Sequence, residues 1–250
     1  MSPGLVLLHG FTHTGASWEV VSAGLGERYR PLAPDIRGHG ASSELVPVDL
    51  ETVIGDVAGL APPSCTLVGY SMGGRIALHA ALALGDRIAR LVLIGASPGI
   101  AERTEREARQ RADERLAERI ERSTIEEFAR HWATTPVLGT LTPDVAAAAH
   151  ADRLRNTPDG LARALRGLGT GALPSLWDRL GELRMPVTLV VGERDRKFAG
   201  VAMQMMAEIA RAEVVAVAGA SHAVHLDAPE QVAAIIAGLG GAPEGGVPGQ

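Results

Sequence analysis

Short apolar runs of β character alternate with helical patterns along most of this chain, and that alternation leaves few folds open. A strand that returns parallel to its neighbour needs a crossover of a dozen or more residues, and a helix is the usual one. The clear runs lie at 5–8, 66–69, 90–94, 187–191 and 212–217, with a weaker one at 29–33. Most are apolar on both faces, as strands covered on both sides should be. The expected fold class is therefore α/β, a mostly parallel sheet with helices on both faces. The chain has 250 residues and 46% hydrophobic content. That is room for one large domain, or for a core carrying an insertion.

One junction between run and helix carries chemistry. Gly69-Tyr70-Ser71-Met72-Gly73 follows the apolar run directly, and a helical pattern starts at once from Gly74. This is G-x-S-x-G in the strand-to-helix context that a nucleophile elbow requires. The glycines permit a turn too sharp for a Cβ, and the helix aims its positive N-terminal end at the serine.

A serine hydroxyl is a weak nucleophile and a weak base. It needs a histidine to take its proton and an acid to orient that histidine. The chain order Ser, acid, His selects Asp195, just past the run at 187–191, and His222, just past the run at 212–217. Glu193 and His225 are the nearby alternatives; a helix starting near Pro229 would leave both histidines in a loop. The remaining requirement is a pair of N–H donors for a developing oxyanion. The amide of Met72 supplies one, and the loop His9-Gly10-Phe11 after the first run supplies the other at Phe11. His9 and the polar turn 35–42 read as structural.

The alternation breaks between about Pro98 and Pro174. Residues 101–122 hold many Glu and Arg at i, i+3 and i+4 spacing with few apolar positions, the pattern of a solvated helix laced with ion pairs. The whole segment reads as a helical insertion over the sheet. The expected division is a core of 1–97 and 175–240, a helical cap of 98–174, and a disordered Gly/Pro-rich tail at 241–250. Lys and Arg number 24 against 29 Asp and Glu, a formal charge of −5. No long basic cluster is present, so a nucleic-acid partner is not expected. Cys65 is the lone cysteine, which excludes an intrachain disulfide and a cysteine-based metal site. It adjoins a buried run and reads as an inert core thiol. Neither a signal-type segment nor a stretch of membrane-spanning length is seen. The expectation is a cytoplasmic protein.

These residues resemble the α/β-hydrolase superfamily: His9-Gly10-Phe11, Asp35-x-Arg37-Gly38-His39-Gly40-x-Ser42, Gly69-x-Ser71-x-Gly73, Asp195 and His222. A narrower resemblance is to the 2-succinyl-6-hydroxy-2,4-cyclohexadiene-1-carboxylate synthase family of menaquinone biosynthesis. It is carried by the elbow run 67–77, by Trp132 with 133–138, by Arg153-Leu154-Arg155-Asn156 and the run 160–171, by 174–177, and by 192–198. The resemblance implies a lyase that eliminates pyruvate from 2-succinyl-5-enolpyruvyl-6-hydroxy-3-cyclohexene-1-carboxylate. It implies a small polycarboxylate substrate, Ser71 acting as base, and no metal or organic cofactor.

Such a substrate accounts for residues the triad does not use. Arg75 stands one helical turn past Ser71 on nearly the same face, where a guanidinium can grip a carboxylate in bidentate fashion. The resemblance adds Arg153 as a second cation, with Arg155 as the fallback in register, and Trp132 and Tyr70 as pocket walls. At the family's aromatic cap position this chain has Leu138. The triad by itself leaves serine base and serine nucleophile open. A carboxylesterase or C–C bond hydrolase therefore stands as the alternative, and a non-catalytic binding protein on the same scaffold as the remote one.

Overall fold

The computed structural model describes residues 4–135 and 141–239. The Leu138 reading and the tail at 241–250 lie outside the described residues. Six strands form one sheet: β1 (Gly4–Leu8), β2 (Arg30–Leu32), β3 (Cys65–Tyr70), β4 (Ile88–Ile94), β5 (Val187–Gly192) and β6 (Ala212–Val217). Their order is β2-β1-β3-β4-β5-β6, and every pairing is parallel. Each apolar run seen in the sequence is a strand. Cys65 opens β3, is buried, and has its thiol pushed up by that burial.

Side chains alternate across the sheet as the two-residue period requires. On one face Val6, Leu8, Leu67, Leu91, Leu93, Val187 and Leu189 pack with α2 (Leu50–Leu60), α3 (Met72–Leu84) and α8 (Arg196–Glu208). On the other, Leu5, Leu7, Val68, Val92, Ile94 and Val190 pack with α1 (Glu19–Gly24) and α10 (Pro229–Ile236). Each fully buried Leu, Ile or Val contributes about 1.5–3 kcal/mol relative to exposure. The sheet core is thus the larger apolar body of the molecule. β6, at the edge, is only half-buried, so the two-sided apolar expectation holds for the central strands.

Between β4 and β5 the chain forms α4 (Arg103–Glu121), α5 (Ile125–Trp132), α6 (Pro143–Arg153) and α7 (Pro158–Leu168). Local signals start these helices. Thr124 and Glu127 form a capping box on α5, and Thr157 caps α7 with Pro158 in its first turn. A separate apolar cluster joins them: Ala117 and Ile120 of α4, Phe128 of α5, and Leu161, Ala162 and Leu165 of α7. α4 is ion-paired along its exposed side as expected, for example Arg103 to Glu107 at 2.8 Å. It is not solvated all round, because Asp113, Ala117 and Ile120 are buried. Among the described residues no helix is long and apolar enough to cross a membrane.

Candidate active site

The C-terminal ends of β1, β3, β5 and β6 meet beneath the helical insertion, where open parallel sheets gather their functional groups. Ser71 joins β3 to α3 with φ 51° and ψ −107°. That backbone is costly for any residue with a Cβ, by about 1–3 kcal/mol. The surroundings impose it. A Cβ on Gly69 would fall 2.4 Å from the Gly73 carbonyl oxygen, and one on Gly73 would fall 2.3 Å from that of Leu8. Only glycines let β1, β3 and α3 approach this closely, and the Ser71 amide then donates to the Ile94 carbonyl at 2.9 Å.

His222 links Ser71 to Asp195. Its Nδ1 is 2.7 Å from Asp195 Oδ2, and its Nε2 is 3.2 Å from Ser71 Oγ. The tautomer that donates Nδ1–H to Asp195 leaves Nε2 to accept the serine proton. Asp195 is fixed in turn, because its Oδ1 caps α8 by accepting the Phe198 amide at 3.2 Å. The rings of Phe198 and Tyr70 flank the imidazole at centroid distances of 4.5 and 5.4 Å. Glu193 is turned away: it is exposed and accepts the Gly219 amide.

His225 differs from its loop expectation. It lies in a short helix, α9 (Val224–Asp227), and is buried against Tyr70 at 4.2 Å and Trp18 at 4.9 Å. It is neither a cavity-lining nor a surface residue. Burial keeps it neutral, well below the ordinary histidine range. The short helix was invisible to periodicity, being a single turn.

The amides of Phe11 and Met72 bond to no other group among the described residues, and both residues line the cavity beside Ser71. His9, fully buried, ties its own loop: Nε2 accepts the Ile36 amide at 2.9 Å and Nδ1 bonds the Gly10 carbonyl at 2.9 Å. Asp35 likewise braces its turn by accepting the amides of Gly15 and Ala41.

The cavity above Ser71 has a volume of about 330 Å³. Tyr70, Trp132 and Phe11 give it aromatic walls, and Arg75, Arg109 and Lys197 give it positive charge. Trp132 meets Phe11 edge-on at 5.4 Å. Arg75 is half-buried and has no ion pair among the described residues; its Nε is sealed from solvent without a partner. Burial, with Arg109 nearby, lowers its guanidinium to about 10, while Asp113 pulls the other way. It remains cationic at neutral pH. An unpaired buried donor is costly, so this one is set for an anion.

Arg153 is placed differently from Arg75. It is 2% exposed, lies within electrostatic reach of Tyr70 and Asp152, and is not among the residues that line the cavity beside Ser71. Its Nε also lacks a partner among the described residues. Arg155 points outward, with a side chain 62% exposed. Arg109 and Lys197 were missed in the sequence. Arg109 is one of many arginines on α4, and only the packing of α4 selects its face. Lys197 follows Asp195 by two residues, an offset that could have flagged it. Among the described residues no group of three or more His, Cys, Asp or Glu side chains is arranged to hold a metal ion.

A parallel sheet that lifts a strained serine toward a histidine and an aspartate from later loops defines an α/β hydrolase. The model of the Alpha/beta hydrolase family matches residues 5–235, and the chain belongs to that family. A 2-succinyl-6-hydroxy-2,4-cyclohexadiene-1-carboxylate synthase from Salmonella paratyphi C is 34% identical, over 82% of this chain and 83% of that protein. A Bacillus subtilis (strain 168) protein given the same name provisionally is 33% identical, over 94% of this chain and 89% of that protein. The structure of MenH from S. aureus superposes with a TM-score of 0.89 at 29% identity, covering 96% of this chain and 93% of that one. Within the α/β hydrolases, the chain is a member of the 2-succinyl-6-hydroxy-2,4-cyclohexadiene-1-carboxylate synthase family.

Proposed function

We propose that this chain is the lyase its family name describes. It eliminates pyruvate from 2-succinyl-5-enolpyruvyl-6-hydroxy-3-cyclohexene-1-carboxylate and leaves 2-succinyl-6-hydroxy-2,4-cyclohexadiene-1-carboxylate. The observation that carries this reading is the presence, in one cavity, of the Ser71–His222–Asp195 relay and the Arg75 guanidinium, which has no ion pair among the described residues. An enzyme for neutral esters has no use for that charge. A substrate with several carboxylates does.

His222 takes the Ser71 proton, and Asp195 stabilises the imidazolium that results. Ser71 Oγ then removes a ring proton. The electron pair moves into the ring system and its neighbouring carbonyl, where the amides of Phe11 and Met72 receive the negative charge. The C–O bond to the enolpyruvyl group breaks with its electrons, the departing enolate takes up the proton held by His222 and leaves as pyruvate, and the ring becomes a diene. No water is consumed and no acyl-enzyme forms. Arg75 holds a carboxylate close to Ser71. Trp132 and Tyr70 bound the ring, and Arg153 adds positive potential near Tyr70. In this account residues 98–174 form the cap and 1–97 with 175–240 the core.

The test follows pyruvate release from the enolpyruvyl substrate, coupled to lactate dehydrogenase, with a p-nitrophenyl ester run in parallel. Rapid pyruvate release with feeble ester cleavage is the expected result. Efficient ester cleavage without pyruvate would reassign the chain to the hydrolases on the same triad.

A further inference from the structure

The loop that carries Phe11 is held from the far side of the sequence. Thr12, the next residue, has φ 71°, a conformation that a β-branched residue adopts only when its surroundings over-determine it. Thr12 is fully buried. Its carbonyl accepts Asn156 Nδ2 at 2.9 Å. Asn156 is itself anchored, since Nδ2 also donates to the Arg153 carbonyl at 3.0 Å and Oδ1 accepts the Gly40 amide at 3.1 Å. Two residues further along the loop, Asp152 accepts the Thr14 amide at 3.1 Å, His13 Nδ1 at 3.0 Å, and the Thr14 hydroxyl. Asn156 and Asp152 are 4% and 7% exposed. Burial alone would push the Asp152 carboxyl up, but the His13 and Thr14 bonds outweigh it and hold it below the ordinary carboxylate range.

We infer that Asn156 and Asp152 are positioning residues: from the helical insertion they clamp residues 12–14 and so fix where the Phe11 amide points. The physical reason is the strain at Thr12. Without the bond from Asn156, rotation toward negative φ becomes favourable; that rotation turns the two peptide units flanking Thr12 and so frees Phe11, whose own amide lies one peptide earlier, from the anchor that holds its backbone in place. An oxyanion donor works only when it is aimed before the charge develops. The insertion therefore helps to build the catalytic geometry as well as covering it. This inference rests on the proposed role of Phe11.

The experiment compares the full-length chain with Asn156→Asp and Asn156→Ala. Asparagine to aspartate keeps an acceptor for the Gly40 amide and removes the donor to Thr12. Hydrogen–deuterium exchange of a peptide spanning residues 9–16 should speed up at least about tenfold, with the α3 peptide unchanged as the internal reference. In the pyruvate assay kcat should fall about tenfold or more while KM stays within about threefold, because the Arg75 contact is untouched. Asp152→Asn, which keeps one acceptor oxygen, should shift both readouts the same way by less and serves if the Asn156 variants fold poorly. Unchanged exchange in the loop would overturn the clamp, and so would faster exchange with unchanged kcat. A wild-type chain that released no pyruvate would instead refute the lyase reading. The exchange data, with kcat on the p-nitrophenyl ester, would still decide the clamp.

Discussion

The sheet edge and the helical insertion both supply residues to one cavity, but by different rules. At the edge, each candidate residue stands within five residues of a strand end: Phe11 after β1, Ser71 after β3, Asp195 after β5, His222 after β6. Strand register fixes those positions, because parallel strands end at one level and their loops emerge side by side. In the insertion no such frame exists. Arg109, Trp132 and Leu116 reach the cavity because of the face each helix turns inward. Arg153 and Arg155, two residues apart, differ sharply in burial, one enclosed near Tyr70 and one with its side chain 62% exposed. Offset along the chain locates chemistry on a sheet edge, whereas packing locates it in a helical layer.

The comparison breaks most directly at Ser71. Ser71→Ala should lower pyruvate release by about a thousandfold or more with the fold retained, because the relay then ends on no hydroxyl. A variant that keeps most of its rate would remove the sheet edge from the chemistry. Arg75→Ala should cost about 2–5 kcal/mol in kcat/KM, the range for truncating one partner of a buried charge-assisted contact. Unchanged kinetics would leave the positive character of the cavity to the insertion and to Lys197.

Acid should separate the two regions by pH. In the core, burial holds His9 and His79 to about 4 and His39 to about 3. An unfolded histidine titrates near 6.5, so the unfolded state binds more protons as pH falls below that value. The stability of the neutral buried form is full above about pH 6.5 and is lost toward about pH 4, by up to about 1.4 kcal/mol per pH unit for each group. Asp152, which joins the insertion to the loop after β1, is held below its ordinary value and loses its contribution only at more acid pH. Urea unfolding at pH 7.5 and 5.5 should therefore show a clear fall in midpoint. An unchanged midpoint would mean that these histidines are not neutral in the folded chain.

The smallest effect belongs to the outer side of the insertion. Arg166 of α7 reaches Glu114 at 2.8 Å and also Glu121, both on α4. These groups are a third or more exposed, and solvent screening leaves such pairs worth about 1 kcal/mol or less. Arg166→Ala should lower thermal stability slightly and leave pyruvate release unchanged. A large rate loss would show that the relative placement of α4 and α7 is held by charge rather than by Ala117, Ile120, Leu161 and Leu165.

Much of the molecule is legible in the amino-acid sequence alone. The strands are, because each is a short apolar run punctuated by turn residues. The grouping of Ser71, Asp195 and His222 is, because a strand-to-helix serine leaves few places for its partners, and Asp195 and His222 each follow a run. His225 was misplaced, since a one-turn helix has no period to read. The burial of one face of α4 was missed because Asp113 and Ala117 give no hydrophobic stripe. The clamp was missed altogether: Asn156 and Asp152 lie some 140 residues from the loop they hold, and nothing in a local window marks such a pairing.

Local sequence specifies the parallel sheet, the elbow at Ser71 and the chain order of the candidate relay. Those follow from local apolar patterning, from glycines where no Cβ fits, and from the rule that strand ends share a level. Packing of distant segments decides that Arg75 has no ion pair among the described residues, that Arg153 is buried near Tyr70 while Arg155 is largely exposed, and that the insertion grips Thr12. Those depend on how helices roll against one another and on which buried donors find an acceptor. Close packing of distant segments sets both.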